Sequence, residues 1–348
     1  MKLKTSNIEL SQLDPTPLRA AQIAGGAGQF MLAFADRAIL ANSQGEFCTS
    51  WELPESMRNE SMLNIHCFKN YAAIVEARGI SGVVFAMDDP QWKMDLSRKD
   101  YHCNHCTWPI GFFMRDGKPN LIHATQWNRL DITTLDTGTC ITEREIDQKE
   151  KKNYLDYFHS SLYVSPDEKH FVVNGWCWSP WDVLYSWNID RFKTDFEPGG
   201  TCLDALQRNG YNWDRPCCFI DNDTIAWGYN EREANEPGVP EDQGTELVFQ
   251  NIHSKAITRR MPFEYFDLSI EQEAFGRLWF DSGNRIFVCS SRLKKSSDLS
   301  VEQRGTSIVD SQGNELQHWP QIAQFVSTEN QTIGFFNSST IEVVKYSD

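Results

Sequence analysis

The chain has 348 residues, a formal net charge of −15 and 12 tryptophans. This acidic balance argues against a protein that binds nucleic acid or an anionic membrane surface, because both partners call for basic surface. The sequence has no apolar run of about 18 residues and no apolar core behind its first lysines, so we expect a cytoplasmic protein with reduced thiols and neither a transmembrane helix nor a signal peptide.

A short polar turn between two apolar runs recurs along the chain. The turns are Asp36-Arg37, Lys69-Asn70, Asp116-Gly117, Pro166-Asp167, Asp221-Asn222-Asp223, Asp281-Ser282-Gly283-Asn284 and Glu329-Asn330. The apolar runs are rich in Val, Ile, Phe, Trp and Tyr, which are typical of packed β-strands. Third strands are predicted at residues 83–87, 130–135, 246–252 and 341–345, and fourth strands at residues 92–96, 139–143, 256–261 and 315–319.

Seven units of four short antiparallel strands predict an all-β, seven-bladed β-propeller, and we expect one such domain over residues 1–348. A pair of β-sandwiches or a large barrel would not require the unit to recur. The last unit lacks a fourth strand, which residues 3–10 can supply beside residues 341–345, and this N-terminal strand would close the ring. Short helical turns are expected between blades at residues 149–156, 202–207 and 268–274.

The fourth unit carries a resemblance to a known family. Its turn Ser165-Pro166-Asp167-Glu168-Lys169 resembles the SPDGK-type turn of WD40 blades, and Trp187-Asn188-Ile189-Asp190 is similar to the strand end that carries the Trp-Asp dipeptide. The Gly-His pair of that family is missing, as is a regular Trp-Asp in each blade, so the resemblance is one of architecture. It implies a platform for proteins or peptides, although a minority of such propellers are enzymes and the fold alone does not decide.

A four-stranded meander places its turns alternately at two ends of the blade. We call the end with the first-to-second and third-to-fourth turns the short-turn face, because turns such as Asp116-Gly117 are minimal. The opposite end, with the second-to-third loops and the blade connections, is the loop-rich face. Its predicted segments are residues 97–108, 144–159, 175–181, 199–214, 230–244, 262–275 and 291–304. Binding residues concentrate in loops on a rigid scaffold, so a partner is expected there.

Aromatic residues are concentrated on the predicted loop-rich face, and Trp and Tyr dominate binding hot spots. The residues predicted to bind a partner are Trp176, Trp178, Trp181, Tyr211, Trp213, His159, Tyr101 and His102. The alternative is that the tryptophans cap the core between neighbouring blades.

The segment at residues 101–108 interleaves cysteine and histidine, the usual zinc ligands. Its candidate ligands are His102, Cys103, His105 and Cys106. A structural zinc site normally needs a second pair like Cys103 and Cys106, and the chain has none, so we expect an ordinary blade connection, no metal and no cofactor.

The composition and the fold leave two classes of function open. The first is a non-enzymatic, monomeric interaction platform that binds a protein or peptide partner on the loop-rich face. The alternative is a propeller hydrolase or lyase with a site at the central channel. His159 close to Asp156 is the sequence's candidate for a general base, and a single such neighbour is also expected by chance.

Overall fold

Four-stranded antiparallel sheets recur along the whole chain. The computed structural model describes residues 1–10, 12–25, 28–58, 62–150, 152–178, 181–203, 214–230, 245–262, 277–290, 293–296, 299–302, 305–337 and 339–347. We number the strands in chain order from β1 (Lys2–Glu9). Seven blades of four strands make the fold an all-β, seven-bladed β-propeller, which confirms the prediction.

The first three blades follow β1 in order. Blade 1 comprises β2 (Ala20–Ala24), β3 (Gln29–Ala33), β4 (Arg37–Ala41) and β5 (Phe47–Glu52). Blade 2 comprises β6 (Leu63–Phe68), β7 (Tyr71–Glu76), β8 (Ser81–Ala86) and β9 (Asp89–Ser97). Blade 3 comprises β10 (Ile110–Arg115), β11 (Lys118–Gln126), β12 (Arg129–Thr134) and β13 (Thr139–Cys140).

Blades 4 and 5 come next. Blade 4 comprises β14 (Phe158–Val164), β15 (His170–Cys177), β16 (Trp181–Asn188) and β17 (Thr201–Cys202), with the helix α1 (Ile189–Asp195) between its last two strands. Blade 5 comprises β18 (Cys217–Phe219), β19 (Thr224–Asn230), β20 (Thr245–Asn251) and β21 (Ile257–Pro262).

Blade 6 carries an additional hairpin. It comprises β22 (Arg277–Phe280), β23 (Ile286–Ser290), the hairpin of β24 (Leu293–Ser296) and β25 (Leu299–Glu302), β26 (Gly305–Val309) and β27 (Glu315–Trp319). Blade 7 comprises β28 (Phe325–Ser327), β29 (Thr332–Phe336) and β30 (Thr340–Ser347), with β1 as its outer strand. Single turns of 3₁₀ helix occur at Glu55–Met57, Cys103–His105 and Glu197–Gly199.

The position of a strand within its blade explains its sequence pattern. The second strand β7 is buried at every residue after Tyr71, and these residues are apolar as far as Val75. The fourth strand β9 is largely exposed and polar, since it forms the blade's outer edge. The tight turn at Asp116 and Gly117 has φ values of 50° and 74°, which suits a two-residue hairpin between β10 and β11.

The N-terminal strand completes the last blade as the sequence predicts. β1 pairs with β30 in antiparallel register from Lys2 opposite Ser347 to Glu9 opposite Thr340. The Leu10 N–H continues the pairing with a hydrogen bond to the Ser339 carbonyl oxygen at 2.8 Å. This strand therefore joins the first and last parts of the chain in one sheet.

The chain divides into two compact units. One comprises Met1–Trp108 with Ala323–Asp348 and holds blades 1, 2 and 7; the other, Pro109–Ile322, holds blades 3 to 6. Within each unit, apolar residues of adjacent blades pack together; the pairs are blades 1 and 2, blades 7 and 1, blades 4 and 5, and blades 5 and 6. None of the described helices is both long enough and apolar enough to cross a membrane.

Three details of the predicted topology are wrong. The turn Asp36-Arg37 joins the second and third strands of blade 1, because the first strand β2, an Ala-rich run with a weak β signal, precedes it. The predicted loop at residues 175–181 is mostly strand, since β15 and β16 pair as far as Cys177 opposite Trp181. The short-turn face is not minimal throughout, because α1 follows β16 on that side of blade 4.

The helix predictions also need correction. Residues 149–150 and 152–156 are not helical, and Asp147 and Lys152 form an isolated bridge there. Cys202 lies in β17, while residues 204–207 and 268–274 lie outside the described residues. Among the described residues, the α-helix that does form is α1, and Asn188 precedes it as its cap, since the Asn188 side chain accepts a hydrogen bond from the Arg191 N–H at 3.1 Å.

Candidate functional site

A row of aromatic rings in contact with one another lies at the loop-rich face of blades 3 and 4. We call it the aromatic ladder, and its members are Tyr154, Trp127, Phe158, Trp176 and Trp178. The ring centroids of successive members are 6.4, 4.2, 3.8 and 5.2 Å apart. The last ring, Trp178, also meets Phe158 edge-on at 5.3 Å. Offset and edge-to-face pairs of this kind are favourable beyond the area they bury.

The strand register of blade 4 produces the central stack. Phe158 of β14 lies opposite Trp176 of β15, and their rings are nearly parallel, with planes 5° apart. Trp176 lies in β15 and Trp178 directly follows the last residue of that strand, Cys177; their rings meet edge-on. Trp127 lies between β11 and β12 of the adjacent blade and extends the row.

The rings of the aromatic ladder differ in solvent exposure: the inner rings are buried, and the ring at one end is exposed. Phe158 and Trp176 are 0% and 3% exposed, whereas Trp178 is 49% exposed. Trp178 therefore offers a large apolar surface that buried rings hold in place from beneath.

The Tyr157 hydroxyl group forms hydrogen bonds with the backbone of β15 and β16 beneath the aromatic ladder. Its hydroxyl oxygen accepts a hydrogen bond from the Gly175 N–H at 2.6 Å and lies 2.9 Å from the Val173 carbonyl oxygen and 2.8 Å from that of Val183. A Cβ at Gly175 would collide with the Phe158 carbonyl oxygen and meet the Tyr157 ring at 2.8 Å, so this close approach requires glycine. Burial raises the pKa of Tyr157 well above its usual value, which keeps its hydroxyl protonated.

Buried charges join blade 3 to blade 4. Arg144 donates to Asp131 at 2.9 Å and also to Glu197, whose carboxylate accepts the Leu130 N–H at 2.8 Å. Burial alone would raise the pKa of Asp131, but hydrogen bonds from Arg129 and Thr125 and the charges of Arg129 and Arg144 hold it below its usual value. A paired network of this kind ties the two blades together.

The structure separates the residues predicted to bind a partner. Trp178 and Tyr101 are exposed, and Trp181 and His102 are half-buried. Trp176 lies beneath the surface and acts as a support. Tyr211 and Trp213 lie outside the described residues. The binding role of the group stays a prediction.

His159 is a core residue. It is 1% exposed and its ring packs edge-on against Tyr157, with centroids 5.0 Å apart. Burial, and secondarily the charge of Arg144, lowers the pKa of His159 to about 3, so the imidazole is neutral at neutral pH. Neither ring nitrogen has a hydrogen-bond partner among the described residues. The imidazole of His159 is therefore enclosed by the core, and its predicted role in partner binding stays a prediction.

The Cys-His segment forms the connection between blades 2 and 3. Cys103–His105 is a single 3₁₀ turn, and the Arg98 guanidinium donates to the carbonyl oxygens of Cys103 and Cys106 at 2.9 and 3.0 Å. The Cys106 side chain is buried, and burial raises the pKa of the Cys103 thiol. Among the described residues, these side chains do not form a group of three metal-ligand atoms within 4.8 Å.

Sequence reasoning missed Trp127, Tyr154 and Phe158 as members of the site. Each is an aromatic residue at or beyond a strand end on the loop-rich side, and that signal marks them as candidates. Their mutual stacking depends on the packing of blade 3 against blade 4, which no local pattern reports.

Comparison with known proteins finds likeness in structure alone. No protein-family model matches, and no curated protein sequence matches. The Pan2 WD40 domain of Neurospora crassa is 10% identical with a TM-score of 0.59, over 99% of this chain and 96% of that chain. A catalytically inactive variant of virginiamycin B lyase from Staphylococcus aureus, with quinupristin, is 12% identical with a TM-score of 0.56, over 99% and 100%. Sqt1 of Saccharomyces cerevisiae is 11% identical with a TM-score of 0.54, over 95% and 84%.

These likenesses define the class of fold. The chain is a WD40-like β-propeller in architecture, as the Ser165-Pro166-Asp167-Glu168-Lys169 turn predicts. Identities of 10% to 12% carry the fold and no particular activity.

Proposed function

We propose that this protein is a non-enzymatic interaction platform that binds a protein or peptide partner on its loop-rich face, with Trp178 as the anchor. The observation that carries this proposal is the contrast within the aromatic ladder, where a 49% exposed ring rests on rings that are fully or almost fully buried. An anchor that is already ordered loses little conformational entropy when a partner covers it.

The surface chemistry suggests the kind of partner. Trp178 would be covered by an apolar side chain, and the net charge of −15 favours association with a partner that carries basic residues around that side chain. Half-buried Trp181 lies opposite Cys177, so strand alternation directs its side chain to the face of the sheet opposite that of Trp176. A monomeric state, a cytoplasmic location and the lack of a nucleic-acid or membrane partner are part of the same proposal and rest on composition.

The enzyme alternative is less well supported. A general base needs a pKa close to the working pH and access to a substrate. His159, the base that the sequence offers, is buried and has a pKa lowered to about 3. One structural neighbour is a lyase, but at 12% identity it shares the fold alone with this chain.

The proposal is tested by affinity capture followed by a titration. The wild-type protein and Trp178→Ala are each immobilised and incubated with a cytoplasmic extract. A protein that the wild type enriches is then purified, and its Kd for each of the two forms is measured by calorimetry. Loss of a true anchor costs about 2 kcal/mol or more, which is roughly a 30-fold increase in Kd.

Two control variants lie on the short-turn face of the same unit. Asp136→Ala changes the turn between β12 and β13, and Leu316→Ala removes a side chain that is 46% exposed, similar to Trp178, in β27. Both should leave the Kd unchanged. Equal binding by the wild type and Trp178→Ala, or a loss in Leu316→Ala instead, would contradict the proposed surface.

A further inference from the structure

Two histidines and an aspartate from three separate turns meet at the short-turn face of blades 4 and 5. His170 is the first residue of β15, Asp223 lies between β18 and β19, and His253 lies between β20 and β21. One ligand atom from each of these residues lies within 4.8 Å of those of the other two. Among the described residues, this is the one group of three or more potential metal ligands at such spacing.

The three side chains approach closely. Nε2 of His253 is 2.9 Å from an oxygen of Asp223, and the rings of His170 and His253 are 4.8 Å apart, edge to face. Two imidazoles and a carboxylate are the donor set of many sites that bind zinc and related ions, with metal–ligand distances of about 2.0–2.2 Å. Ligand atoms around such an ion are a little over 3 Å apart, so small rotations of exposed side chains would complete the geometry.

Hydrogen bonds hold the two turns of blade 5 that carry Asp223 and His253. The Asp221 carboxylate accepts the N–H of Asp223 at 2.8 Å, and the Asn251 side-chain oxygen accepts the N–H of His253 at 3.0 Å. These hydrogen bonds fix the backbones of the two turns. Folding therefore brings Asp223 and His253 close together before any ion binds.

His170 itself carries the most direct indication of a missing ligand. Its Nε2 lies 3.2 Å from the Asn188 amide nitrogen, while its Nδ1 is buried and has no hydrogen-bond partner among the described residues. A buried nitrogen left without a partner costs free energy, and coordination would satisfy it.

We propose that His170, Asp223 and His253 bind one divalent transition-metal ion, Zn²⁺ or an ion of similar preference, which links blade 4 to blade 5. Three protein ligands leave a fourth position of a tetrahedral site open to water or to a partner's side chain. The ion would cross-link blades 4 and 5 on the side opposite the aromatic ladder. This site is independent of the proposed partner surface.

The test is a metal titration of the full chain after chelator treatment. Calorimetry with Zn²⁺ should find one tight site per chain in the wild type, and a saturating concentration should raise the Tm, because the ion binds the folded state. Co²⁺, used as a spectroscopic probe, should bind without a thiolate-to-metal charge-transfer band. Zn²⁺ binding should weaken by more than about 100-fold in each of His253→Gln, Asp223→Asn and His170→Gln. Loss of a residue that only supports a ligand weakens metal binding by up to about 100-fold, so a larger effect indicates a direct ligand.

The controls separate this site from other histidines and thiols. His318→Gln removes an exposed histidine close to Glu315 in blade 6, and Cys103→Ser removes the other candidate ligand set; both should bind Zn²⁺ like the wild type. His253 and Asp223 are about half exposed, so their variants should fold, which circular dichroism verifies. No stoichiometric Zn²⁺ binding in the wild type, equal binding by His253→Gln, or loss of binding in Cys103→Ser would each overturn the proposal.

Discussion

Trp178 packs edge-on against Trp176, with ring centroids 5.2 Å apart and ring planes at 88°. Trp176 is 3% exposed and Trp178 is 49% exposed, so two tryptophans separated by one residue have different physical roles. The inner ring is part of the core, and the outer ring is surface that the core supports.

The two rings should respond differently to truncation. Trp176→Ala is expected to lower the free energy of unfolding by about 3–5 kcal/mol, because it leaves a cavity beneath Phe158. Trp178→Ala should cost about 1 kcal/mol or less, because much of its side chain already contacts water. Urea denaturation of both variants measures the difference. Equal losses would mean that Trp178 is core, and its proposed role as an anchor would then fail.

Closure by β1 predicts that the N-terminal residues contribute strongly to stability. Ile8 is 5% exposed and Leu10 is 1% exposed, and burial of such a side chain is worth about 1.5–3 kcal/mol each. Deletion of residues 1–10 should therefore lower the unfolding midpoint clearly. Ile8→Ala should cost about 2–5 kcal/mol.

Leu3 provides the matched control within the same strand. Its side chain is 41% exposed, so Leu3→Ala should change the free energy of unfolding by about 0.5 kcal/mol or less. A truncation of residues 1–10 that unfolds at the wild-type midpoint would show that the pairing of β1 with β30 carries no stability.

Glu168 occupies the position of glycine in the SPDGK-type turn, with φ at 58°. A side chain in this left-handed region costs about 1–2 kcal/mol. The Glu168 carboxylate accepts a hydrogen bond from the Met114 N–H of blade 3 at 2.5 Å, which offsets the strain. Glu168→Ala should destabilise the protein, since it keeps the strain and loses the bond.

Glu168→Gly loses the same hydrogen bond but removes the strain. It should therefore be more stable than Glu168→Ala by about 1 kcal/mol. Chemical denaturation of the two variants side by side checks the order. If Glu168→Ala were the more stable of the two, the left-handed conformation would not be a source of strain.

His159 predicts a loss of stability in mild acid. Its pKa falls from an ordinary value of 6.5 to about 3 in the folded chain, so the unfolded chain binds a proton that the folded chain does not. The stability is complete above about pH 6.5 and is lost as the pH falls from there towards about 3. His159→Phe should flatten this dependence, as measured by urea denaturation between about pH 7 and about pH 5.

The control for the pH series is His318→Phe, which makes the same substitution at a side chain that is 37% exposed. A change of slope that appears in His159→Phe and not in His318→Phe belongs to the buried site. An unchanged slope in His159→Phe would show that other groups dominate the acid sensitivity.

Local chemistry explains why much of the fold is predictable. The turns at Asp116-Gly117 and Ser165–Lys169 are short-range signals, and each lies between two strands as expected. The strand from Glu315 to Trp319 has the predicted bounds. Closure by β1 follows from counting strands in a repeat, since the last unit lacks one.

Contacts between blades lie beyond the reach of such signals. A run of Trp and His residues in the sequence does not tell which rings are buried, so Trp176 and His159 belong to the core while Trp178 remains exposed. His170, Asp223 and His253 are far apart in the chain and meet only because blades 4 and 5 are adjacent. Turn and strand patterns depend on neighbouring residues, whereas burial and convergence depend on which blades pack together, and this physical difference separates what could be predicted from what had to be seen in three dimensions.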